Sequence, residues 1–388
     1  MKLLKRIMLP TLMTVASVHV HAQSVQQELM TETFDELDLF SPKEFQVIDI
    51  KKQISKVIAS QIQALTPRLQ TMMSEQRLSI PLQASLMSGR AAEQVNVASS
   101  YTRMLKGLNV NNNAIFQLRL ADSAMLAPWS SGEKPLIAFA PKGDDTSWLY
   151  IEAYDHDGNV HLLDAQTMPL QPVLIVEIDG RKSAREGLAI MQSIFAQNQD
   201  TETSAIITSS ENDADVLSTS NLKRIRLNDD KEPWISGNAE IYAVVTGVSP
   251  TRDEPILDIV DMPYLDNDGR DYTPNQTLIH WNRYRWQAAD VLLMEQDDNT
   301  NYQTLATTFL DIVTQAMRAI PDPNVQGYAI IPQLTNQLIK AMPAHWFSND
   351  DDYVDVFYTL FEGQNYNNHM GASGNAKVTI KPLNINPR

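Results

Sequence analysis

One stretch of the chain, residues 197–220, differs in composition from the sequence around it and divides the chain into two regions. It contains five acidic residues and no basic, aromatic, proline or glycine residue. Low hydrophobicity with unbalanced charge does not offset the conformational entropy lost on ordering, so the stretch is predicted to be an acidic linker or a long exposed loop. The domain boundary is therefore placed there, between an N-terminal domain at 23–196 and a C-terminal domain at 221–388.

Residues 1–22 have the pattern of a secretory signal peptide. A positively charged start is followed by an apolar run, Ile7 to Val20, and by the small-residue cleavage pattern Val20-His21-Ala22. The run is shorter than the ~20 residues needed to span a bilayer core of ~30 Å, and polar sequence begins at Gln23. We therefore expect cleavage near Ala22 and a soluble protein, secreted or periplasmic, that is not an integral membrane protein.

Composition limits the classes of function. The 388 residues include no cysteine, which excludes disulfides and thiolate metal sites, so stability must come from core burial or bound ions. The formal net charge is −16, and loss of three positive signal residues lowers it by three to −19. Such a surface repels nucleic acid and attracts cations, so no nucleic-acid partner is expected. The same charge also serves simply to keep an exported protein soluble.

The N-terminal domain mixes helical and strand patterns. Apolar residues at three- and four-residue steps predict a helix over 44–65, which Pro67 is expected to kink or end, and a further helix over 183–197. Between them lie short β-branched or aromatic runs, which predict strands at 114–120, 135–140, 148–154 and 172–178. The mixture predicts an α+β fold, with a helical layer against a small sheet.

The C-terminal domain is predicted to be mainly β and sandwich-like, with two inserted helices. Helices are predicted over 302–317 and 330–342, because their apolar residues fall on one face. Many short strands with acidic turns favour a β-sandwich. The predicted strands are 222–227, 240–246, 256–260, 278–285, 289–295, 353–361 and 377–381.

Carboxylates of the C-terminal domain gather where predicted strands end. Calcium prefers about 6–8 hard oxygen ligands at ~2.3–2.6 Å, and converging acidic loops offer such ligands without cysteine or histidine. We therefore predict a Ca²⁺-type site, with ordinary solvated acidic loops as the alternative. The candidate metal ligands are Asp229, Asp230, Glu232, Glu295, Asp297, Asp298, Asp350, Asp351 and Asp352.

The segment from Glu295 to Asp298 ranks first among these clusters, because it follows an apolar strand whose packing would fix the backbone. The segment 266–271 (DNDGRD) resembles part of a helix–loop–helix calcium loop, but Tyr264 and Asn275 occupy the positions where that loop needs carboxylates. A site of that type is rejected. Replacing Asp297 and Asp298 with Asn is expected to weaken Ca²⁺ stabilisation more than the same change of Asp266 and Asp268.

Motifs for common catalytic sites are missing from the sequence, including those of zinc proteases, serine hydrolases, phosphate loops and dinucleotide folds. The segment 155–159 (DHDGN) predicts a hairpin turn, since Asp-Gly between apolar runs is a strong hairpin signal. Zinc binding by His156 and His161 with Asp157 and Asp164 is the less favoured interpretation, because zinc sites do not commonly use that spacing. No catalytic residue is assigned.

Aromatic residues are frequent near the acidic loops. A Trp or Tyr beside calcium commonly holds a sugar ring, which makes carbohydrate one candidate partner, with another exported protein as a second. The stronger expectation is that Trp281, Tyr284 and Trp286 straddle a strand and fill the sandwich core.

Three stretches carry a family resemblance. They are 222–245 (LKRIRLNDDKEPWISGNAEIYAVV), 286–302 (WQAADVLLMEQDDNTNY) and 135–164 (PLIAFAPKGDDTSWLYIEAYDHDGNVHLLD). They resemble an uncharacterised family of exported bacterial proteins catalogued as domain of unknown function 3103, and the resemblance implies no activity. The sequence thus favours an exported, non-catalytic binding protein with a hard-cation site. The alternative is an extracytoplasmic hydrolase of peptide or polysaccharide with carboxylate acid and base residues.

Overall fold

The computed structural model describes residues 46–111, 113–143, 147–198, 216–228, 234–237, 240–296, 298–341 and 353–386. Within these ranges the α-helices are α1 (Val47–Met72), α2 (Gly89–Leu105), α3 (Leu126–Ser130), α4 (Gly180–Asn198), α5 (Tyr302–Arg318), α6 (Pro323–Gln326) and α7 (Ile330–Ala341). The first six strands are β1 (Ser79–Pro81), β2 (Phe116–Leu120), β3 (Leu136–Ala138), β4 (Tyr150–Tyr154), β5 (Val160–Asp164) and β6 (Val173–Ile178). The later strands are β7 (Leu217–Leu227), β8 (Ile241–Val248), β9 (Pro255–Asp261), β10 (Gln276–His280), β11 (Ala288–Glu295), β12 (Tyr353–Phe361), β13 (Tyr366–Met370) and β14 (Ala376–Ile385).

Helix α1 forms where the apolar periodicity predicts it and extends beyond the expected end. The Asp49 carboxylate accepts a hydrogen bond from the Gln46 backbone N–H at 3.1 Å, which caps the first turn. Pro67 lies inside the helix and does not end it. Leu69, two residues after Pro67, is 1% exposed. Burial of its side chain offsets the backbone hydrogen bond that proline cannot make.

The N-terminal region is built on one six-stranded sheet with the order β1-β2-β6-β3-β4-β5. Strands β3 and β6 pair in parallel, and the other neighbours pair antiparallel. Helix α1 packs on β3, β4 and β6, and α2 packs on α1. The predicted α+β architecture is confirmed for this region.

The C-terminal region contains two four-stranded antiparallel sheets, ordered β10-β7-β14-β13 and β12-β11-β8-β9. A cluster of buried side chains from both sheets fills the space between them, with Ile225 and Val291 among its members. Helices α5 and α7 cover the outer face of the second sheet, where Val244 and Leu292 are buried. The predicted sandwich-like domain with two inserted helices is confirmed.

The two regions share buried apolar surface. The larger core cluster contains side chains of the N-terminal sheet and helices together with those of β8, β11, α5 and α7. Helix α4 packs on α5 and β9, and the Gln192 side chain accepts the Ile259 backbone N–H at 2.9 Å. The N-terminal helical layer is therefore in contact with the sandwich.

Some boundaries differ from the sequence predictions. Strand β7 begins at Leu217, inside the predicted linker, while residues 199–215 and the predicted signal peptide lie outside the described residues. The strand predicted at 278–285 ends at His280 and continues as two 3₁₀ turns. The hairpin prediction at 155–159 is confirmed by the pairing of β4 with β5. None of the helices in the described part of the chain has the length and apolar character needed to cross a membrane.

Candidate functional site

Two of the nine predicted metal ligands, Glu295 and Asp298, lie within the described residues, and both line one cleft. Glu295 ends strand β11, as predicted. The other seven, which lie outside the described residues, are Asp229, Asp230, Glu232, Asp297, Asp350, Asp351 and Asp352.

The cleft has a volume of about 410 Å³ and lies where the N-terminal region meets two segments of the C-terminal region. Helix α1, strands β2 and β6 and the start of α4 form one side, and residues 235–237, 240, 295–296 and 298–299 form the other. Its charged lining residues are Lys51, Arg119, Lys142, Glu177, Asp179, Arg181, Glu240, Glu295 and Asp298. A mixed lining of this kind suits a polar or charged ligand.

Asp298 is held by two lysines of the N-terminal region. The Lys51 ammonium lies 2.6 Å from Asp298 Oδ2, and the Lys106 ammonium donates to the Asp298 backbone carbonyl at 2.8 Å. Burial works against ionisation of Asp298, but the two ammonium groups outweigh it and hold the pKa of this carboxyl below its usual range. Asp298 therefore remains a carboxylate, and 36% of its side chain is exposed.

The segment after Asp298 is docked on the end of helix α2 by three further hydrogen bonds. The Asn301 amide donates to the Leu105 carbonyl at 2.8 Å, and the Gln303 amide donates to the Gly107 carbonyl at 2.8 Å. The Tyr302 backbone N–H donates to the Lys106 carbonyl at 3.0 Å. Rigid support of this kind fixes Asp298 relative to the N-terminal sheet.

Glu177 forms the second charged pair of the cleft. Its carboxylate accepts hydrogen bonds from Arg119 Nε at 2.9 Å and from the Gln117 amide at 2.7 Å. Arg119 also donates to the carbonyls of Ile235 and Ser236 at 2.8 and 2.9 Å, which fixes that segment of the cleft wall. Burial raises the pKa of Glu177 despite the neighbouring Arg119 guanidinium.

Glu240 differs from the other carboxyls because no hydrogen-bond donor for its side chain occurs in the described part of the chain. It precedes β8 and packs against Gly180, the first residue of α4: a Cβ built on that glycine would lie 2.2 Å from Glu240 Oε1. Burial, followed by the charges of Asp298 and Glu177, raises the pKa of Glu240 to about 8.

The side-chain oxygen of Gln296 is a second hydrogen-bond acceptor that has no donor among the described residues. Its backbone N–H donates to the Glu240 carbonyl at 3.0 Å, which extends the pairing of β11 with β8 by one residue. Gln296 lines the cleft and is 8% exposed, and its Oε1 atom is buried without a hydrogen-bond partner among the described residues. A buried amide oxygen without a partner is destabilising unless something else satisfies it.

In the segment 266–271, where the sequence analysis rejects a helix–loop–helix calcium site, Asp266 and Asp271 lie in ion pairs. Asp266 accepts from Arg181 Nη2 at 2.6 Å and from the Tyr272 hydroxyl at 2.9 Å, and Asp271 pairs with the Arg224 guanidinium. Both carboxylates are therefore paired with guanidinium groups. The predicted core position is confirmed for Trp281 and Tyr284, which are each 1% exposed and lie in the core between the two sheets. The prediction is wrong for Trp286, which is partly buried against the larger cluster, and for the strand, because this segment forms 3₁₀ turns.

Sequence patterns did not identify Glu177, Glu240, Lys51 or Arg119. Each lies in or beside an apolar run, where a charged residue resembles an ordinary strand or helix end. One signal was present: Lys51 falls between Ile50 and Ile54 on the apolar stripe of α1, where a charge is unexpected unless it has a buried partner.

The comparison with protein families agrees with the resemblance seen in the sequence. The family model described as protein of unknown function (DUF3103) matches residues 51–388. The chain belongs to this family. The matched range includes the charged cleft residues from Lys51 to Asp298. No curated protein and no solved structure matches the chain.

Proposed function

We propose that this is an exported, non-catalytic binding protein and that its cleft binds a hard divalent cation, with Ca²⁺ as the first candidate. The observation that carries the proposal is the pair of acceptors on Glu240 and Gln296, which have no donor within the described residues. A hard cation satisfies such oxygens directly.

The ligand set of the proposed site comes from two short segments. Glu240 and Gln296 are joined through their backbones, and Glu295 and Asp298 line the same cleft. Carboxylate and amide oxygens, completed by backbone carbonyls and water, are the ligands that Ca²⁺ takes. The site keeps Glu295 and Asp298 from the sequence prediction and adds Glu240 and Gln296.

The charge balance of the cleft sets the expected affinity. Lys51 and Lys106 already lie against Asp298, and Arg119 lies against Glu177. These three cations compete electrostatically with a bound metal. We therefore expect a dissociation constant in the range of extracellular calcium modules, about 10⁻⁴–10⁻³ M, and not in the range of intracellular buffers.

Binding should also release a proton. Because the pKa of Glu240 is about 8, its carboxyl is mostly protonated at neutral pH and must ionise to ligate a cation. The affinity for Ca²⁺ should therefore increase roughly tenfold per pH unit between about pH 6 and pH 8, and then level off.

The test is thermal unfolding of the chain from Gln23 onward at pH 8, with CaCl₂ increased and ionic strength held constant with NaCl. Saturating Ca²⁺ at about 100 times the dissociation constant should stabilise the wild type by ~2.7 kcal/mol. Glu240→Gln should lose most of this effect. Asp266→Asn is the matched control, because Asp266 is paired with Arg181 and is not among the cleft-lining residues. Absence of stabilisation in the wild type, or equal loss in both variants, would overturn the proposal.

Hydrolysis of a peptide or polysaccharide is a second candidate, supported by the contrast between two carboxyls. The pKa of Glu240 is about 8, whereas the pKa of Asp298 lies below its usual range. Carboxylate hydrolases use such a pair, in which one carboxyl is protonated and acts as the acid while the other is ionised. Wild-type protein is assayed on chromogenic glycosides and peptides at pH 5–9. Turnover that is lost in Glu240→Gln and falls above about pH 8 would favour this candidate over the first.

A further inference from the structure

The tip of the β4–β5 hairpin gathers imidazole and carboxylate groups outside the cleft. One ligand atom each from Asp155, His156 and Asp157 lies within 4.8 Å of the other two. His156 Nε2 and Asp157 Oδ2 are 3.3 Å apart. Tetrahedral Zn²⁺ with bonds of ~2.0–2.2 Å holds neighbouring ligand atoms about 3.4 Å apart. One pair already has this spacing, and the third atom lies within 4.8 Å of both.

A positive charge already lies at the nitrogen that would bind the metal. The Lys134 ammonium is 2.9 Å from His156 Nε2. An ammonium group has donors and no acceptor, so Nε2 acts as the acceptor in this contact. An accepting imidazole nitrogen is also what ligates metal ions. Lys134 is exposed, so a divalent ion can replace its ammonium while the side chain moves into solvent.

The turn holds Asp155 in a fixed position. Its Oδ1 accepts the backbone N–H groups of Asp157 and Asn159, each at 2.9 Å. Its Oδ2 is 2.9 Å from His161 Nε2 and accepts the Asn159 amide at 3.0 Å. Gly158, at φ +85°, provides the left-handed turn residue. Ligands that the backbone has already positioned lose little entropy on binding a metal.

We propose that Asp155, His156 and Asp157 form a second metal site, which takes a divalent transition ion such as Zn²⁺, with His161 as a positioning residue for Asp155. The site differs in chemistry from the cleft. An imidazole nitrogen favours Zn²⁺ and its transition-metal neighbours, whereas the cleft offers oxygen ligands suited to Ca²⁺. Three protein ligands leave a fourth position open to water or to a partner's side chain.

The test uses the chain from Gln23 onward, purified without a polyhistidine tag and titrated with ZnCl₂ against a chromophoric chelator. We expect one equivalent of Zn²⁺ to bind in the micromolar range or tighter. His156→Ala and Asp157→Asn should each weaken binding about tenfold or more. His280→Ala is the matched control, since His280 is an exposed histidine on β10, and it should leave binding unchanged. Glu240→Gln should also leave it unchanged, which separates this site from the cleft.

The Lys134→Ala variant gives the sharpest outcome, because it keeps every proposed ligand and removes the competing ammonium. Zn²⁺ should bind several-fold more tightly to this variant than to the wild type. His161→Gln should shift the visible absorption band of the Co²⁺-substituted site, which a purely structural role of His161 would not do. No saturable Zn²⁺ binding below about 100 μM, or equal affinity in the His156→Ala and His280→Ala variants, would overturn the proposal.

Discussion

The Lys51 ammonium lies 2.6 Å from the Asp298 carboxylate and joins helix α1 to the segment that follows β11. The two residues are 247 positions apart in the sequence. They are not equally buried: Lys51 is 3% exposed, whereas the Asp298 side chain is 36% exposed. An ammonium without a partner in the interior is more destabilising than a carboxylate that still contacts solvent and lies near a second lysine.

This asymmetry predicts the effect of breaking the pair from either side. Asp298→Asn leaves Lys51 buried without a charged partner and should destabilise the fold by about 2–3 kcal/mol. Lys51→Met fills the same space and should destabilise it by less than about 1.5 kcal/mol. Urea unfolding followed by circular dichroism measures both. Arg181→Gln, which breaks the exposed pair with Asp266, is the control and should change stability by less than about 1 kcal/mol. A larger effect of Lys51→Met would contradict this reasoning.

The raised pKa of Glu240 predicts that the protein loses stability as the pH rises. Its pKa of about 8 in the folded protein exceeds the usual value of ~4.3 in an unfolded chain, so between these values the folded state binds the additional proton. Stability therefore falls as pH rises from about 5 to about 8. Glu240→Gln removes this term and should match the wild type near pH 5 but exceed it by ~1–3 kcal/mol near pH 9.

The measurement is urea unfolding at pH 5, 7 and 9 in the presence of EDTA, so that metal binding does not contribute. Glu93→Gln on the exposed face of α2 serves as the control, with the same small difference from wild type at every pH. If the Glu240→Gln difference is also constant with pH, the folded protein does not hold a proton on this carboxyl.

Elements with a strong apolar period were predictable from the sequence. Helix α1 and strands β8 and β11 follow directly from their apolar residues. Helix α2 gave no comparable pattern, because its buried face includes small and polar residues such as Ala98, Ser99 and Thr102. Strand β13 (YNNHM) also lacks an apolar pattern, but for a different reason: its side chains are partly or fully exposed.

The candidate site was predictable only in part. Glu295 and Asp298 were found because carboxylates directly follow an apolar strand. Glu177, Glu240 and Lys51 come from three other elements, and only the tertiary fold brings them to the same cleft. A search for clusters along the chain cannot detect a site whose residues are as far apart as Lys51 and Asp298, which are separated by 247 positions. No periodic pattern encodes such pairing.

Asp355, on strand β12, has a structural role. Its carboxylate is fully buried and accepts the backbone N–H groups of Ser373, Ala376 and Val356 at 2.8, 2.7 and 2.8 Å. Asp355→Asn would place an amide donor against a backbone donor and should destabilise the protein by about 2–3 kcal/mol. The stabilisation by Ca²⁺ should be unchanged, as measured by thermal unfolding with and without CaCl₂. A selective loss of the Ca²⁺ effect would instead place Asp355 in a metal site.

Gly180 offers a test of the cleft that alters geometry without altering charge. A Cβ at this position would lie 2.2 Å from Glu240 Oε1, which is the far end of a flexible side chain, so the carboxyl can move away. Since alanine is also the better helix former, Gly180→Ala should change the free energy of unfolding by less than about 1 kcal/mol. Displacing the carboxyl should nevertheless remove most of the Ca²⁺-dependent rise in melting temperature at pH 8. Gly237→Ala in the same cleft is the matched control, because the nearest atom to its Cβ within the described residues would be Glu177 Oε2, at 3.9 Å. A full Ca²⁺ response in Gly180→Ala would mean that Glu240 is not a ligand.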